Sequence, residues 1–449
     1  MLKKDFKAVL VSMSGVRVYN QKLLQLGLTL PGFVDRSKVI ASLPSLGLLT
    51  IAAHSPDNWA ILYKELDAIT EASIDDILNE APDLIAFSSL TARINETYAL
   101  ADRFRQMGIT VVMGGLHVSA LPDEAMPHAD SVIQGEGELI WPELLTDFQH
   151  NRLKPVYSSL TNKQYAYRVD CHKVPRYDLL DIDKYNRLTL QTTRGCPLDC
   201  VFCAASRTIS SYKKKPIAQI DRELAAIFEV WQRPFIELAD DNTFVDKNWS
   251  KELLRLFASY RMKWFTETDI SIAQDDELLE LLAASNCAQV LIGLETAQAM
   301  SLTGVDRNNW KLRQFDTYLK SIEKIQSYGI SVNGCFILGF DTDTKETFSH
   351  TEQFIKASHL SEVQLTVLTP FPGTALYRQL KQQNRLLADT YWDKCTLFDV
   401  TFTPANFTVD ELESSFQELM GSVYARKTVA ERKRTFKQTL TNKITSTHA

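Results

Sequence analysis

Over the first 150 positions, short apolar runs alternate with amphipathic stretches. Residues 8–12, 60–63, 84–88, 110–113 and 131–133 each read as a strand, and residues 96–106 repeat apolar positions at helical spacing. Strands interleaved with helices predict a parallel α/β sheet. A second series begins at 187. Runs at 188–192, 235–239, 264–268, 289–295, 331–339 and 363–368 read as six strands, with helical patterns such as 224–228 and 278–284 between them. Six strand–helix units predict a parallel barrel that stops short of eight-fold closure, with its chemistry at the carboxyl ends of the strands.

The expected organisation is a front domain over 1–150, a linker over 151–186, a barrel over 187–380 and a less regular, mostly helical extension over 381–449. The linker stretch is polar, carries Pro155 and Pro175, and shows no periodicity. The basic run from Arg426 to Lys437 reads either as a solvated helix or as a surface for an acidic partner or membrane, and so short a run favours the former.

Composition narrows the function. The 449 residues carry 49 basic and 55 acidic side chains, a formal charge of −6, which argues against a nucleic-acid binder built on a basic body. No apolar run approaches the roughly 18 residues of a membrane span. The start, Met1-Leu2-Lys3-Lys4-Asp5-Phe6-Lys7, lacks a signal-peptide cleavage pattern, so the expected location is cytoplasmic.

Seven cysteines (Cys171, Cys196, Cys200, Cys203, Cys287, Cys335 and Cys395) make a poor disulfide framework. Three of them crowd into Cys196-Pro-Leu-Asp-Cys200-Val-Phe-Cys203, directly after the first barrel strand. Three thiolates on one loop can hold three irons of a 4Fe–4S cluster and leave the fourth open. Zinc is the rival, with Cys171 or His172 as the nearest fourth ligand in sequence, but structural zinc is normally closed by four ligands and this spacing is not a usual zinc pattern. A chance group of buried cysteines is disfavoured by the polar, Gly/Pro-containing loop.

Small residues also gather after the front-domain strands: Ser88-Ser89-Leu90-Thr91, Gly114-Gly115-Leu116-His117 and Gly135-Glu136-Gly137-Glu138. Such loops either let a ligand approach the backbone, as open α/β sheets do at their carboxyl ends, or only make tight turns. The sequence leaves both readings open.

The cysteine motif, with Phe202 in its aromatic slot, resembles the signature of the radical S-adenosylmethionine (SAM) enzymes. The resemblance implies that Cys196, Cys200 and Cys203 ligate the cluster, that SAM chelates the open iron through its amino and carboxylate groups, and that reductive cleavage yields a deoxyadenosyl radical. It also implies SAM contacts at Phe202, at Asp240-Asp241-Asn242 closing the second strand, at Glu267 and Thr268, at Glu295, and at Gly339 in the segment 334–339. Asp-Asp-Asn stands where the common form has Gly-Gly-Glu, so only the location carries over; it looks like the variant of cobalamin-associated members. Pro370-Phe371-Pro372-Gly373-Thr374 is typical of the same subgroup.

Together with Pro44-Ser45-Leu46-Gly47-Leu48-Leu49 and Pro82-Asp83-Leu84, the front-domain loops resemble the flavodoxin-like or Rossmann-like cobalamin-binding domain fused ahead of such barrels, in the hopanoid-methylase-like branch. The resemblance covers about residues 1–380. It implies cobalamin contacts at Ser88, Ser89, Leu90, Gly114, Gly115, His117, Gly135, Glu136 and Gly137. The Asp-x-His-x-x-Gly motif that supplies a lower cobalt ligand is missing, so the lower face is expected to lack histidine.

The implied activity is methyl transfer to an unactivated carbon of a small-molecule or lipid-like substrate, with electrons from an external flavodoxin or ferredoxin type donor. Radical cyclisation or rearrangement without methyl transfer is the alternative within the class. A non-catalytic iron–sulfur electron carrier is the alternative outside it. A carrier usually fills all four irons with cysteine, and no fourth cysteine lies near this loop.

Overall fold

The computed structural model describes residues 6–13, 43–166, 172–205 and 208–447, with the single residues Gly15, Leu23 and Arg168. Cys171 and the first five residues lie outside this set.

The front sheet consists of β1 (Phe6–Met13), β2 (Trp59–Leu66), β3 (Leu84–Ser89), β4 (Thr110–Gly114), β5 (Ser131–Gln134) and β6 (Val156–Ser158). The strands run in the order β2-β1-β3-β4-β5-β6, every pair parallel. The first five follow the flavodoxin-like order. β6 comes from the stretch that the sequence suggested was a linker. The strands are apolar on both sides because helices cover both faces. Val9, Val11, Ile85, Phe87 and Val111 pack into one layer, and Ala8, Leu10, Leu84, Ala86 and Val112 into the other.

The second sheet contains β7 (Leu188–Leu190), β10 (Phe235–Leu238), β11 (Lys263–Thr268), β12 (Cys287–Glu295), β13 (Ser331–Leu338) and β14 (Glu362–Val367). Between β7 and β10, β8 (Thr193–Arg194) and β9 (Lys213–Lys214) form a two-residue antiparallel ladder. The six strands of this sheet are parallel and lie in sequence order, with β7 and β14 at the two edges, so the barrel is open.

Their outward positions, among them Ile236, Leu238, Trp264, Val290, Ile292, Val332, Phe336, Val363 and Leu365, share a core with Ile220, Leu224, Leu253, Phe257 and Leu278 of the surrounding helices. The alternate positions face inward. Helix Ala375–Gln382 leads into the extension, and helices Val409–Val423 and Arg426–Thr447 make up most of it. The basic run lies on the last of these, where Arg432 is buried and donates to the Val423 carbonyl at 2.7 Å. No helix among the described residues is long and apolar enough to cross a membrane.

Candidate functional site

The cysteine loop leaves the barrel at Thr193-Arg194 and returns at Lys213-Lys214, so the β8–β9 ladder closes its neck. Gly195 opens the loop at φ +77°, where a Cβ would meet the Ser210 carbonyl oxygen at 2.9 Å. Glycine is required there on both counts. The loop is tied down by backbone hydrogen bonds: Val201 N to Val305 O at 2.9 Å, Arg307 N to Leu198 O at 2.8 Å and Leu376 N to Val201 O at 2.9 Å.

Cys200 is buried, and Cys196 and Cys203 are partly so. Burial pushes the Cys196 and Cys200 thiols up, and the charge of Cys203 adds to both shifts. Cys203 thus lies close enough to act on both of the others. The Lys311 ammonium acts in the opposite sense on Cys200, as does an Asn242 hydrogen bond on Cys196. Three soft, desolvated sulfur donors on one braced loop fit an iron–sulfur cluster, whose cationic irons would compensate the buried thiolates. No three His, Cys, Asp or Glu side chains among the described residues are arranged around a single metal ion. His172, the zinc alternative, is turned into a buried network, with Nε2 2.7 Å from Glu223 Oε1.

The residues expected to meet SAM stand at the carboxyl ends of β10 to β13, with Phe202 on the loop. Asp240 is a brace: Oδ1 accepts from Thr192 N at 2.7 Å and Thr193 N at 3.0 Å, and Oδ2 from the hydroxyls of Thr192 and Thr243. It pins the second strand to the neck of the cysteine loop and its oxygens are taken. Asp241 is partly exposed beside it and adds its charge to Cys196. Asn242 donates to Asp269 Oδ2 at 2.8 Å and accepts from Thr268 Oγ1 at 3.4 Å, so Thr268 is held in a buried polar knot.

Glu267 keeps its surface accessible although protein surrounds it, the mark of a group lining an internal space. Desolvation, then the neighbouring carboxylates, raises its carboxyl to about 8.

Glu295 ends β12 at φ +66°, opposite a register shift between Gly293 and Glu295. Lys311 Nζ holds it, 2.9 Å from Glu295 Oε1 and 2.8 Å from the Gly293 carbonyl. A strained backbone fixed by a buried ion pair is characteristic of functional positions. Gly339 sits at φ +106°, and its N–H and that of Phe340 both donate to Asp343 Oδ2, at 2.8 and 3.0 Å. The Phe340 ring meets Phe202 edge-on at 6.2 Å, joining the cysteine loop to the fifth strand. Lys311, Asp343 and Asp269 were not singled out from sequence; nothing local marks them.

On the front domain, the small-residue loops extend from neighbouring strands. Gly115 has φ +105°, and a Cβ there would lie 3.1 Å from Ser88 Oγ. At Gly135, φ is +87° and the space is filled by Ser159 and Leu160. A Cβ at Gly114 would make ordinary contact with Ile133, and one at Gly137 with Ile51 and Ile133. Ser88 and Ser89 are partly buried, whereas Leu90, Leu116 and Leu160 remain exposed at 49%, 39% and 47%. Side-chain-free backbone beside exposed leucines, at the carboxyl ends of adjacent parallel strands, suits a broad ligand with an apolar body and amide edges such as cobalamin.

Two expected contacts are used otherwise. The His117 imidazole is buried between Thr91 Oγ1 at 3.3 Å and Glu124 Oε1 at 3.2 Å and packs on Trp392, so both its nitrogens are occupied. Glu136 reaches across to the barrel. Its carboxylate lies 3.3 Å from Arg194 Nη1 and 3.1 Å from Lys213 Nζ, while Glu138 accepts from Arg194 Nη2 at 2.6 Å. Both stems of the cysteine loop are thus salt-bridged to the loop after β5.

Comparison with known proteins gives three family matches: the radical SAM superfamily over residues 190–355, the B12 binding domain over 34–145, and a domain of unknown function (DUF4070) over 374–448. The chain is 27% identical to bacteriochlorophyllide d C-12(1)-methyltransferase of Chlorobaculum tepidum over 78% of its length and 76% of the relative's. It is also 27% identical to hopanoid C-2 methylase of Rhodopseudomonas palustris, over 78% of its length and 67% of that protein's. The fold matches that of TsrM, a radical SAM methyltransferase from Kitasatospora setae, with cobalamin and a 4Fe–4S cluster bound, at TM-score 0.70 and 15% identity over 93% of this chain and 89% of that one. With the cysteine loop, the open barrel and the parallel front sheet, these findings make the chain a cobalamin-binding radical SAM enzyme, using SAM, a 4Fe–4S cluster and cobalamin.

Proposed function

We propose that this enzyme transfers a methyl group to an unactivated carbon of a small-molecule or lipid-like substrate. The observation that carries the reading is the pair of salt bridges from Arg194 to Glu136 and Glu138, which joins the cysteine loop to the strand-end loops of the front domain. Bound at these two loop sets, the cluster with SAM supplies a hydrogen-abstracting radical and cobalamin supplies the methyl group.

The chain's own residues do the positioning. Cys196, Cys200 and Cys203 hold the cluster, with Asp240 and Gly195 fixing their loop. Asn242, Thr268, Glu295 and the Gly339-Phe340 turn, with Phe202, form the SAM side. Leu90, Leu116 and the glycines of the front loops would hold cobalamin, with both His117 nitrogens already engaged within the protein. Apposed domains exclude water, which a carbon radical requires. Electrons come from a flavodoxin or ferredoxin type donor in the cytoplasm.

The relatives named as methylases support methyl transfer over cyclisation, rearrangement or electron carriage. The test is anaerobic incubation of the reconstituted enzyme with methyl-labelled SAM, a strong reductant and candidate substrates. 5′-Deoxyadenosine and S-adenosylhomocysteine forming together, with label in the product, is the expected result. 5′-Deoxyadenosine alone would support rearrangement, and neither product would return the chain to the carrier class.

A further inference from the structure

The inside of the barrel is polar, and much of its polarity is unanswered. The outward positions of the six strands are taken up by the helix-facing core, so the alternate positions line the lumen. Four of these bear buried side-chain oxygens with no hydrogen-bond partner among the described residues: Thr189 Oγ1 on β7, Gln289 Oε1 on β12, Asn333 Oδ1 on β13 and Gln364 Oε1 on β14. Gln289 and Asn333 are each only 1% exposed. A buried polar atom left without a partner costs about 1–3 kcal/mol, and native interiors keep few of them. Four of them stand on this one inner surface.

The charges point the same way. At the floor, Arg187 is paired with Glu237, and at the mouth Lys311 is paired with Glu295. Glu267 lies between, on the same face as Glu237 and Phe265. The principal charges acting on it come from Glu237, Asp241, Glu295 and Asp240, all acidic. Cys335, whose register partners are Gly293 and Gln364, feels both Glu267 and Glu295, which places these groups around one space. The unanswered atoms themselves are three amide oxygens and one hydroxyl oxygen, all able to accept. The expected SAM contacts stand at the carboxyl ends of β10 to β13, which leaves the interior below them, where Asn333 lies near the start of β13 and Gln364 and Thr189 stand on the two edge strands.

We propose that the barrel lumen binds the protonated primary amine of the substrate, with Asn333 and Gln364 as acceptors, leaving the carbon to be methylated at the mouth. An ammonium has three donors and no acceptor, and so complements these unanswered acceptor oxygens. This rests on the methyl-transfer reading and names the substrate class within it.

The test needs no turnover: the cluster-loaded enzyme with SAM, unreduced, is titrated with n-butylammonium chloride and followed by calorimetry and thermal melting. Saturable binding that raises the melting temperature is expected, with 1-butanol, tetramethylammonium and potassium chloride at least about tenfold weaker, as loss of charge-assisted hydrogen bonds requires. Asn333→Leu and Gln364→Leu should each weaken the probe about tenfold. Without the probe they should melt no lower than the parent, because an unanswered acceptor has been removed; Asn333→Asp should bind the probe more tightly.

Equal binding of potassium would make this an inorganic cation site and overturn the proposal. So would equal binding of tetramethylammonium, no saturable binding, or an Asn333→Leu protein that melts lower and binds the probe unchanged. Because no methyl group moves in this experiment, its failure leaves the labelled-SAM result standing on its own.

Discussion

Arg194 donates to Glu138 across the domain boundary at 2.6 Å, two residues ahead of the first cluster cysteine. Both side chains are largely withdrawn from solvent, at 14% and 8% exposure. Glu138 is held below the usual carboxylate range against its own desolvation, with the Arg194 charge the largest opposing influence. Removing one partner leaves a buried charge unanswered, which typically costs about 3–5 kcal/mol, whereas removing both costs much less. Arg194→Met should therefore lower stability in denaturant titrations, and Arg194→Met with Glu138→Leu should recover part of the loss. A double variant no more stable than the single one would show that the pair is not the joint between the domains.

Gly195→Ala tests the loop itself. The new methyl would meet backbone atoms of Ser210 and Ser211 at 2.9 Å, and φ +77° is unfavourable for alanine by about 1–2 kcal/mol before any clash. Backbone cannot rotate away as a side-chain tip can, so the loop must shift. Iron and sulfide content after anaerobic reconstitution should fall well below the parent's, while far-ultraviolet circular dichroism stays unchanged.

The barrel was legible because each strand is an apolar run bounded by polar turns, and its outward residues must face helices. β6 was not: three residues after Pro155 carry too little pattern, and only pairing with β5 makes them a strand. The cysteine loop was readable because its chemistry is local in sequence. Asp240 was picked out for its position at a strand end, but its role as a brace depends on Thr192 and Thr193, nearly fifty residues earlier. The Arg194–Glu138 bridge and the Lys311–Glu295 pair are tertiary, joining ordinary charged residues that no spacing connects. His117 sat in a plausible loop, yet its ring turns into the Glu124–Trp392 packing. No periodicity reports which way a side chain turns.

Glu267 makes stability depend on pH in a defined direction. Its folded-state value is raised to about 8 from 4.5, so between these values the native state binds more protons than the unfolded chain. Stability contributed by this group is fully present below about 4.5 and is lost as pH rises toward 8. Glu267→Gln should remove that slope, being more stable than the parent at pH 8 and nearly equal to it at pH 5. Parallel melting-temperature profiles for the two proteins across this range would contradict the assignment.

The account rests on three cysteines holding a cubane whose fourth iron is open to SAM. Mössbauer spectroscopy of the anaerobic protein, reconstituted with isotopically enriched iron and recorded with and without SAM, tests this most directly. The expected spectrum is that of a 4Fe–4S cluster in which SAM alters the parameters of one iron and leaves the other three. No cubane, or a cubane whose four irons are all indifferent to SAM, would contradict it.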